Sequence, residues 1–190
     1  AKYIVLELSS YQLENIESLQ LDYSAITFLS ANHLERYPNL ETYYLTKCSI
    51  GKITKKICFV NSSSVELMSY VSKIPAARVV STNYSSSLFK EKIDLTNLIG
   101  QHNKDNVALA LALLEPLRLS ENAIKKLLEF KGLEHRLEHA GLYNDILFIN
   151  DSKATAMDSV LVAIHASLGI LKKPGVLYVL LGGKDKNLPW

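Results

Sequence analysis

The chain has 190 residues, of which 48% are hydrophobic and 21% charged, with only 8 Gly and 5 Pro. That balance excludes intrinsic disorder, collagen-like repeats and low-complexity sequence, and a chain this long buries a core without disulfide staples. With 21 Lys and Arg against 19 Asp and Glu, it lacks the basic footprint that nucleic acid demands, and no apolar run approaches the ~18 residues of a membrane span.

Strand-like and helix-like segments alternate along the chain, the pattern of an α/β fold with a mostly parallel sheet and flanking helices. Tyr3–Leu8 and Ser24–Leu29 read as strands. Asn39 is placed to cap a helix that runs to about Ile50, with Gly51 at its end. A third strand covers Ile57–Val60, followed by a Ser-rich turn and a helix over 65–73. Arg78–Ser81 reads as a fourth strand, and Ser85–Ser87 as a loop.

The Asn106–Glu115 segment carries Val, Ala and Leu on nearly every face, which predicts a helix buried all round. Pro116 stops it, Ser120 caps the next helix at 121–130, and Gly132 ends that one. A second block then begins, with strands expected at Ile146–Ile149 and Val176–Leu181 and an amphipathic helix between them at Thr155–Leu168. A boundary near Leu133 therefore divides residues 1–133 from 134–190. The strand at residue 3 and the unfinished β-α-β at residue 190 suggest a piece of a longer protein. Ala1-Lys2-Tyr3-Ile4-Val5 has no signal-peptide layout. Cys48 and Cys58 form no C-x-x-C pair and read as small buried hydrophobes in a reducing compartment.

Several residues sit where chemistry is usual in such folds. Open parallel sheets bind ligands at the carboxyl ends of their strands. Glu7 ends the first strand, where a carboxylate either holds Mg²⁺ or is an outward polar group. His33 follows the second strand, as a ligand or as a surface hydrogen-bonding residue. Lys47 lies on a helix, where lysines are nearly always solvated. Asn103 and Asn106 are three apart in the opening turn of the Ala/Leu helix, able to pair with an adenine edge or simply to cap.

Arg136 suits a phosphate fork better than the neighbouring histidines suit zinc. Asn150-Asp151-Ser152-Lys153-Ala154-Thr155 places an acceptor, a cation and a hydroxyl around one strand-to-helix junction. Gly182-Gly183-Lys184-Asp185-Lys186 is an anion-binding turn or a solvated loop. No G-x-x-x-x-G-K-[ST] phosphate loop occurs.

In chain order, Glu7-Leu8-Ser9-Ser10-Tyr11-Gln12-Leu13-Glu14, His33-Leu34-Glu35-Arg36-Tyr37, Gly100-Gln101-His102-Asn103, Gly132-Leu133-Glu134-His135-Arg136 and Asn150-Asp151-Ser152-Lys153-Ala154-Thr155 together resemble the Mur ligases of peptidoglycan synthesis. The version at the first strand end is most similar to the D-glutamate-adding type. The family pattern usually has Asp where this chain has Asn32 and Glu35, and Asn where it has Ala156.

The resemblance implies the part of a central ATP-binding domain that follows its phosphate loop, in residues 1–133. Residues 134–190 would be the start of a Rossmann-like C-terminal ligase domain. It also implies an ATP-dependent, cytoplasmic, amide-forming enzyme that joins D-glutamate to UDP-N-acetylmuramoyl-L-alanine through an acyl phosphate. The full-length protein would be a monomer. By the same resemblance, Glu7, His33 and a carbamylated Lys47 serve Mg²⁺, and Asn103, Asn106, Arg136 and Asp151 contact ATP. Lys153, Thr155 and Lys186 lie near the incoming amino acid, with His33, Lys47 and Lys153 taking part in catalysis. Another Mur member, a folylpolyglutamate synthetase, or an inactive nucleotide-binding fragment are the alternatives.

Overall fold

A computed structural model describes residues 2–31 and 36–183. The described chain falls into two compact units, residues 1–90 with 105–119, and residues 91–104 with 120–190.

The first unit is built on a three-stranded parallel sheet in the order β1 (Leu21–Ile26), β2 (Thr54–Asn61), β3 (Val79–Thr82). The central strand β2 is the most buried, with Cys58, Phe59, Val60 and Asn61 enclosed, as expected of a strand with neighbours on both sides. Short helix α1 (Ser10–Leu13) precedes β1, α2 (Leu40–Cys48) connects β1 to β2, and α3 (Val65–Tyr70) connects β2 to β3.

Capping explains where these helices begin. Asn39 accepts from the Thr42 amide at 2.8 Å to start α2, and Ser64 starts α3. Ser64 Oγ is fully buried and accepts from both Leu67 N and Leu29 N, at 3.3 and 3.4 Å. One hydroxyl thereby fixes the α3 N-terminus to the chain leaving β1. Beneath β1 and β2, the Thr54 hydroxyl donates to Ile50 O at 2.8 Å, so Ser24 donates to Thr54 at 2.7 Å. Ile26, Leu29, Tyr43, Tyr44, Cys48, Cys58, Val60 and Leu67 form the core.

In the second unit, β4 (Glu138–Tyr143) and β5 (Ile146–Asn150) form an antiparallel hairpin, followed by α7 (Met157–Ile170). Asn144 and Asp145 turn the hairpin with φ of 48° and 62°, the left-handed pair that a two-residue turn requires. Ile99, Leu137 and Ala166 are its buried apolar cluster. Helix α5 (Gln101–Leu114) contributes residues to both units, α6 (Glu121–Leu128) belongs to the second, and α4 is a single turn at Lys90–Ile93.

The parallel sheet and its flanking helices match expectation, with ends moved by a few residues. Two expected strands are not formed. Tyr3–Leu8 and Val176–Leu181 have no ladder partner among the described residues, and Val5 and Leu180 are 86% and 98% exposed. An apolar run becomes a strand only when another strand satisfies its N–H and C=O groups. Strand β4 was unexpected, and it makes the second unit's sheet antiparallel. The helix expected from Thr155 begins two residues later.

Candidate functional site

Two clusters gather most of the described candidate residues, one in each unit. In the first, Ser9 and Gln12 form a reciprocal capping box. Gln12 N donates to Ser9 Oγ at 3.3 Å and Ser9 N to Gln12 Oε1 at 2.8 Å. This local bonding sets α1 directly after Glu7 and aims Tyr11 at Tyr37, with stacked rings 6.3 Å apart. The Arg36 guanidinium covers the Tyr11 ring at 4.7 Å and pairs with Glu14 at 2.5 Å. Arg36 holds the Glu14 carboxyl below its ordinary range, while burial, with Glu14 beside it, pushes the Tyr37 phenol up.

Tyr37 continues to Tyr43 at 5.1 Å, and the Lys47 amine lies 5.2 Å from the Tyr43 ring centre, one turn along α2. Lys47 is half-buried, and loss of hydration lowers its amine from the usual 10.5. A row of aromatic rings therefore connects Tyr11, in the segment after Glu7, through Tyr37 and Tyr43 to Lys47. Glu7 itself is exposed on irregular backbone rather than at a strand end. His33 lies outside the described residues. Among the described residues no group of three or more His, Cys, Asp or Glu is placed to hold a metal.

The second cluster joins the loop before β4 to the loop after β5. His135 N donates to Glu138 Oε2 at 2.9 Å, Arg136 N to Leu133 O at 3.2 Å, and Leu137 N to Asp151 Oδ1 at 3.0 Å. Three consecutive amides are thus satisfied, although His135 and Leu137 have φ of 65° and 46°. That left-handed backbone is uncommon outside glycine, and here it is held by these bonds. Lys153 N returns to His135 O at 3.1 Å, and Ala154 N to Asp151 O at 2.9 Å.

The Arg136 side chain is exposed at the apex of this frame. A cleft of about 330 Å³ lies beside it, lined by Asn97, Asn103, Lys131, Arg136, Leu137 and His139 among others. Asn103 is half-buried, and its Nδ2 donates to Ile99 O at 2.8 Å.

Asn103, Arg136, Asp151 and Lys153 therefore share one unit, and Asn103 and Arg136 share one cleft. Asn106 is exposed on α5 among the first unit's residues. Thr155 is exposed just before α7, and Lys186 lies outside the described residues. Sequence reasoning missed Glu138 and Asn150. It also missed Asp105, which is buried between the two asparagines and accepts from Tyr84 N at 2.8 Å. Glu138 and Asn150 face each other across the hairpin. The signal for them was the two-residue Asn144-Asp145 turn, which fixes the register once both flanking runs are read as strands.

Residues 1–114 match the Mur ligase middle domain. Among curated relatives, UDP-N-acetylmuramoylalanine--D-glutamate ligase of Fusobacterium nucleatum is 36% identical, over 98% of this chain and 45% of its own length. The ligases of the same name from Buchnera aphidicola (subspecies Schizaphis graminum) and Francisella tularensis (subspecies novicida) are 33% and 32% identical. They are matched over 98% and 97% of this chain and 46% and 43% of their own lengths. The chain thus spans a little under half the length of the curated relatives it matches. With more than half of its residues inside the family's middle domain, the chain belongs to the Mur ligase family.

Proposed function

We propose that this chain is the nucleotide-handling part of an ATP-dependent ligase that adds D-glutamate to UDP-N-acetylmuramoyl-L-alanine in cytoplasmic peptidoglycan precursor synthesis. The observation that carries this reading is the rigid frame that presents Arg136 beside the Asn103 cleft, with Asp151 and Lys153 in the same frame. An exposed guanidinium on a fixed backbone suits a polyphosphate, which it engages by two parallel hydrogen bonds. Asp151 spends Oδ1 on Leu137 N, leaving its second oxygen for a ribose hydroxyl. Asn103 and Asn106 are assigned to the adenine, and Lys153, Thr155 and Lys186 to the amino acid and the acyl phosphate it attacks.

The names of the relatives support the acceptor and the amino acid. In the reaction, ATP phosphorylates the acceptor carboxylate, the D-glutamate amine attacks the acyl phosphate, and phosphate leaves. Glu7 and His33 are assigned to Mg²⁺ together with Lys47. The lowered amine of Lys47 favours the neutral form that carbon dioxide carbamylates. A carbamate and a carboxylate are hard oxygen donors that fit this ion. When bound, Mg²⁺ neutralises charge on the phosphates. Residues 1–133 are assigned to the central domain and 134–190 to the C-terminal one, in a protein that is monomeric at full length.

The sequence contains no phosphate loop of the G-x-x-x-x-G-K-[ST] type, so the polypeptide to test is this sequence extended to the full length of its Fusobacterium relative. Phosphate release is measured with ATP and UDP-N-acetylmuramoyl-L-alanine, offering D-glutamate, L-glutamate or L-lysine. Release with D-glutamate alone is the expected result. Release with another amino acid, or with none, overturns the assignment.

A further inference from the structure

The Arg136 loop is held by two residues that have no place in the reading above, Glu138 and Asn150. The Asn150 side chain is engaged at both its amide nitrogen and its carbonyl oxygen. Its Nδ2 donates to Glu138 Oε2 at 3.1 Å and to His135 Nδ1 at 2.8 Å, while its Oδ1 accepts from Ser152 N at 3.1 Å. An amide has two N–H bonds and one carbonyl, so this orientation uses every strong group it has. It also makes His135 Nδ1 an acceptor.

Glu138 gathers two hydrogen bonds on one oxygen, one of them shared with Asn150. Oε2 takes the His135 amide at 2.9 Å as well as Asn150 Nδ2. Glu138 and Asn150 stand opposite each other in the β4–β5 register, so the hairpin sets their separation. The left-handed turn at His135 and Leu137 is thereby fastened from below, and Lys153, bonded through its amide to His135 O, is fastened with it.

We infer that Glu138 and Asn150 are positioning residues that hold Arg136 and Lys153 in one frame for a phosphate-bearing substrate. The inference rests on the nucleotide reading for its substrate and on the hydrogen bonds for its mechanism. Because Oε2 is the only oxygen of Glu138 in these bonds, a carbonyl oxygen should replace it. The charge of Glu138 is then dispensable and its reach is not.

Two experiments test this. In the full-length polypeptide described above, kcat and KM for ATP are compared for Glu138→Ala, Glu138→Gln, Asn150→Ala and the Glu138→Ala/Asn150→Ala pair. Misplacing a substrate-holding group by about 1 Å costs up to a hundredfold. Glu138→Ala and Asn150→Ala are expected to lower kcat/KM for ATP by about tenfold or more. Glu138→Gln should stay within about twofold of the parent, and the pair should lose little beyond either single change. Unchanged kcat/KM in Glu138→Ala, or an equal loss in Glu138→Gln, overturns the inference.

The second experiment uses the 190-residue chain and needs no activity. Amide hydrogen exchange at Leu137 and Lys153 is followed in the parent, in Glu138→Ala and in Glu138→Gln. Exchange at least tenfold faster in the alanine variant, with α7 amides unchanged and the glutamine variant like the parent, supports the clamp. Equal protection in all three overturns it. An inactive full-length parent counts against the ligase reading, and the exchange experiment still decides whether the clamp exists.

Discussion

Lys47 shows how far one side chain departs from its bland reading. A lysine on a helix is usually solvated, and composition gave no reason to expect otherwise. The structure half-buries it against Tyr43 and lowers its amine. The folded state therefore binds this proton less readily than the unfolded state. Below the lowered value both states are protonated and the buried charge costs stability in full. As pH rises from there toward the ordinary 10.5, that cost disappears. Lys47→Met is therefore expected to stabilise the chain at neutral pH, with a gain that shrinks toward high pH. Urea titrations at several pH values check this, and a gain that grows with pH contradicts it.

The cysteines follow their sequence reading more closely. Burial pushes the Cys48 thiol up to about 11 and raises Cys58 as well, so neither supplies thiolate at neutral pH. Neither should react with a thiol-specific disulfide reagent in the native chain, and both should react in denaturant. Labelling of either at the native rate of a free thiol refutes this.

At the scale of elements, caps were legible because each is a local hydrogen bond. Asn39, Ser64 and Ser120 start helices where their residue type predicts. The hairpin was less legible, because Asn144-Asp145 signals a turn only if both sides are already taken as strands. Gly100 gives the sharpest test of an element's packing. Its φ is 93°, and an added Cβ would meet Ala166 Cβ at 2.7 Å and the His102 ring at 2.8 Å. Gly100→Ala should cost about 2–4 kcal/mol, from the left-handed backbone plus overpacking. Gly169 lies within α7 with nothing within 4 Å of its Cβ position, so Gly169→Ala should be neutral or stabilising by up to ~1 kcal/mol. Denaturant midpoints of the two variants are compared with the parent, and similar shifts for both would contradict the local geometry.

For the whole molecule, the α/β class and the parallel pairing were both readable from the alternation of strand-like and helix-like segments. The strand status of Tyr3–Leu8 and Val176–Leu181 was not, since a ladder partner is a property of the fold and not of the run itself. The candidate site divides in the same way. Arg136 and Asp151 stand out by residue type, whereas Glu138 and Asn150 acquire meaning only from cross-strand register. The exposed apolar segments should contribute little to folding stability. Val5→Lys and Leu180→Lys are expected to shift the thermal midpoint by less than ~0.5 kcal/mol equivalent and to raise solubility. A large loss of stability in either would mean that these segments are packed in solution. No helix among the described residues is long and apolar enough to cross a membrane.

The row of tyrosines has a consequence for light as well as for packing. Tyr11, Tyr37, Tyr43, Tyr44 and Tyr70 follow one another with ring centres 5.1 to 6.3 Å apart, close enough for their electronic transitions to couple. Half of the chain's ten tyrosines are thus concentrated in one unit and held in fixed mutual orientations. These coupled tyrosines are therefore a spectroscopic marker of the first unit, and loss of their near-ultraviolet circular dichroism will report the loss of that unit's packing.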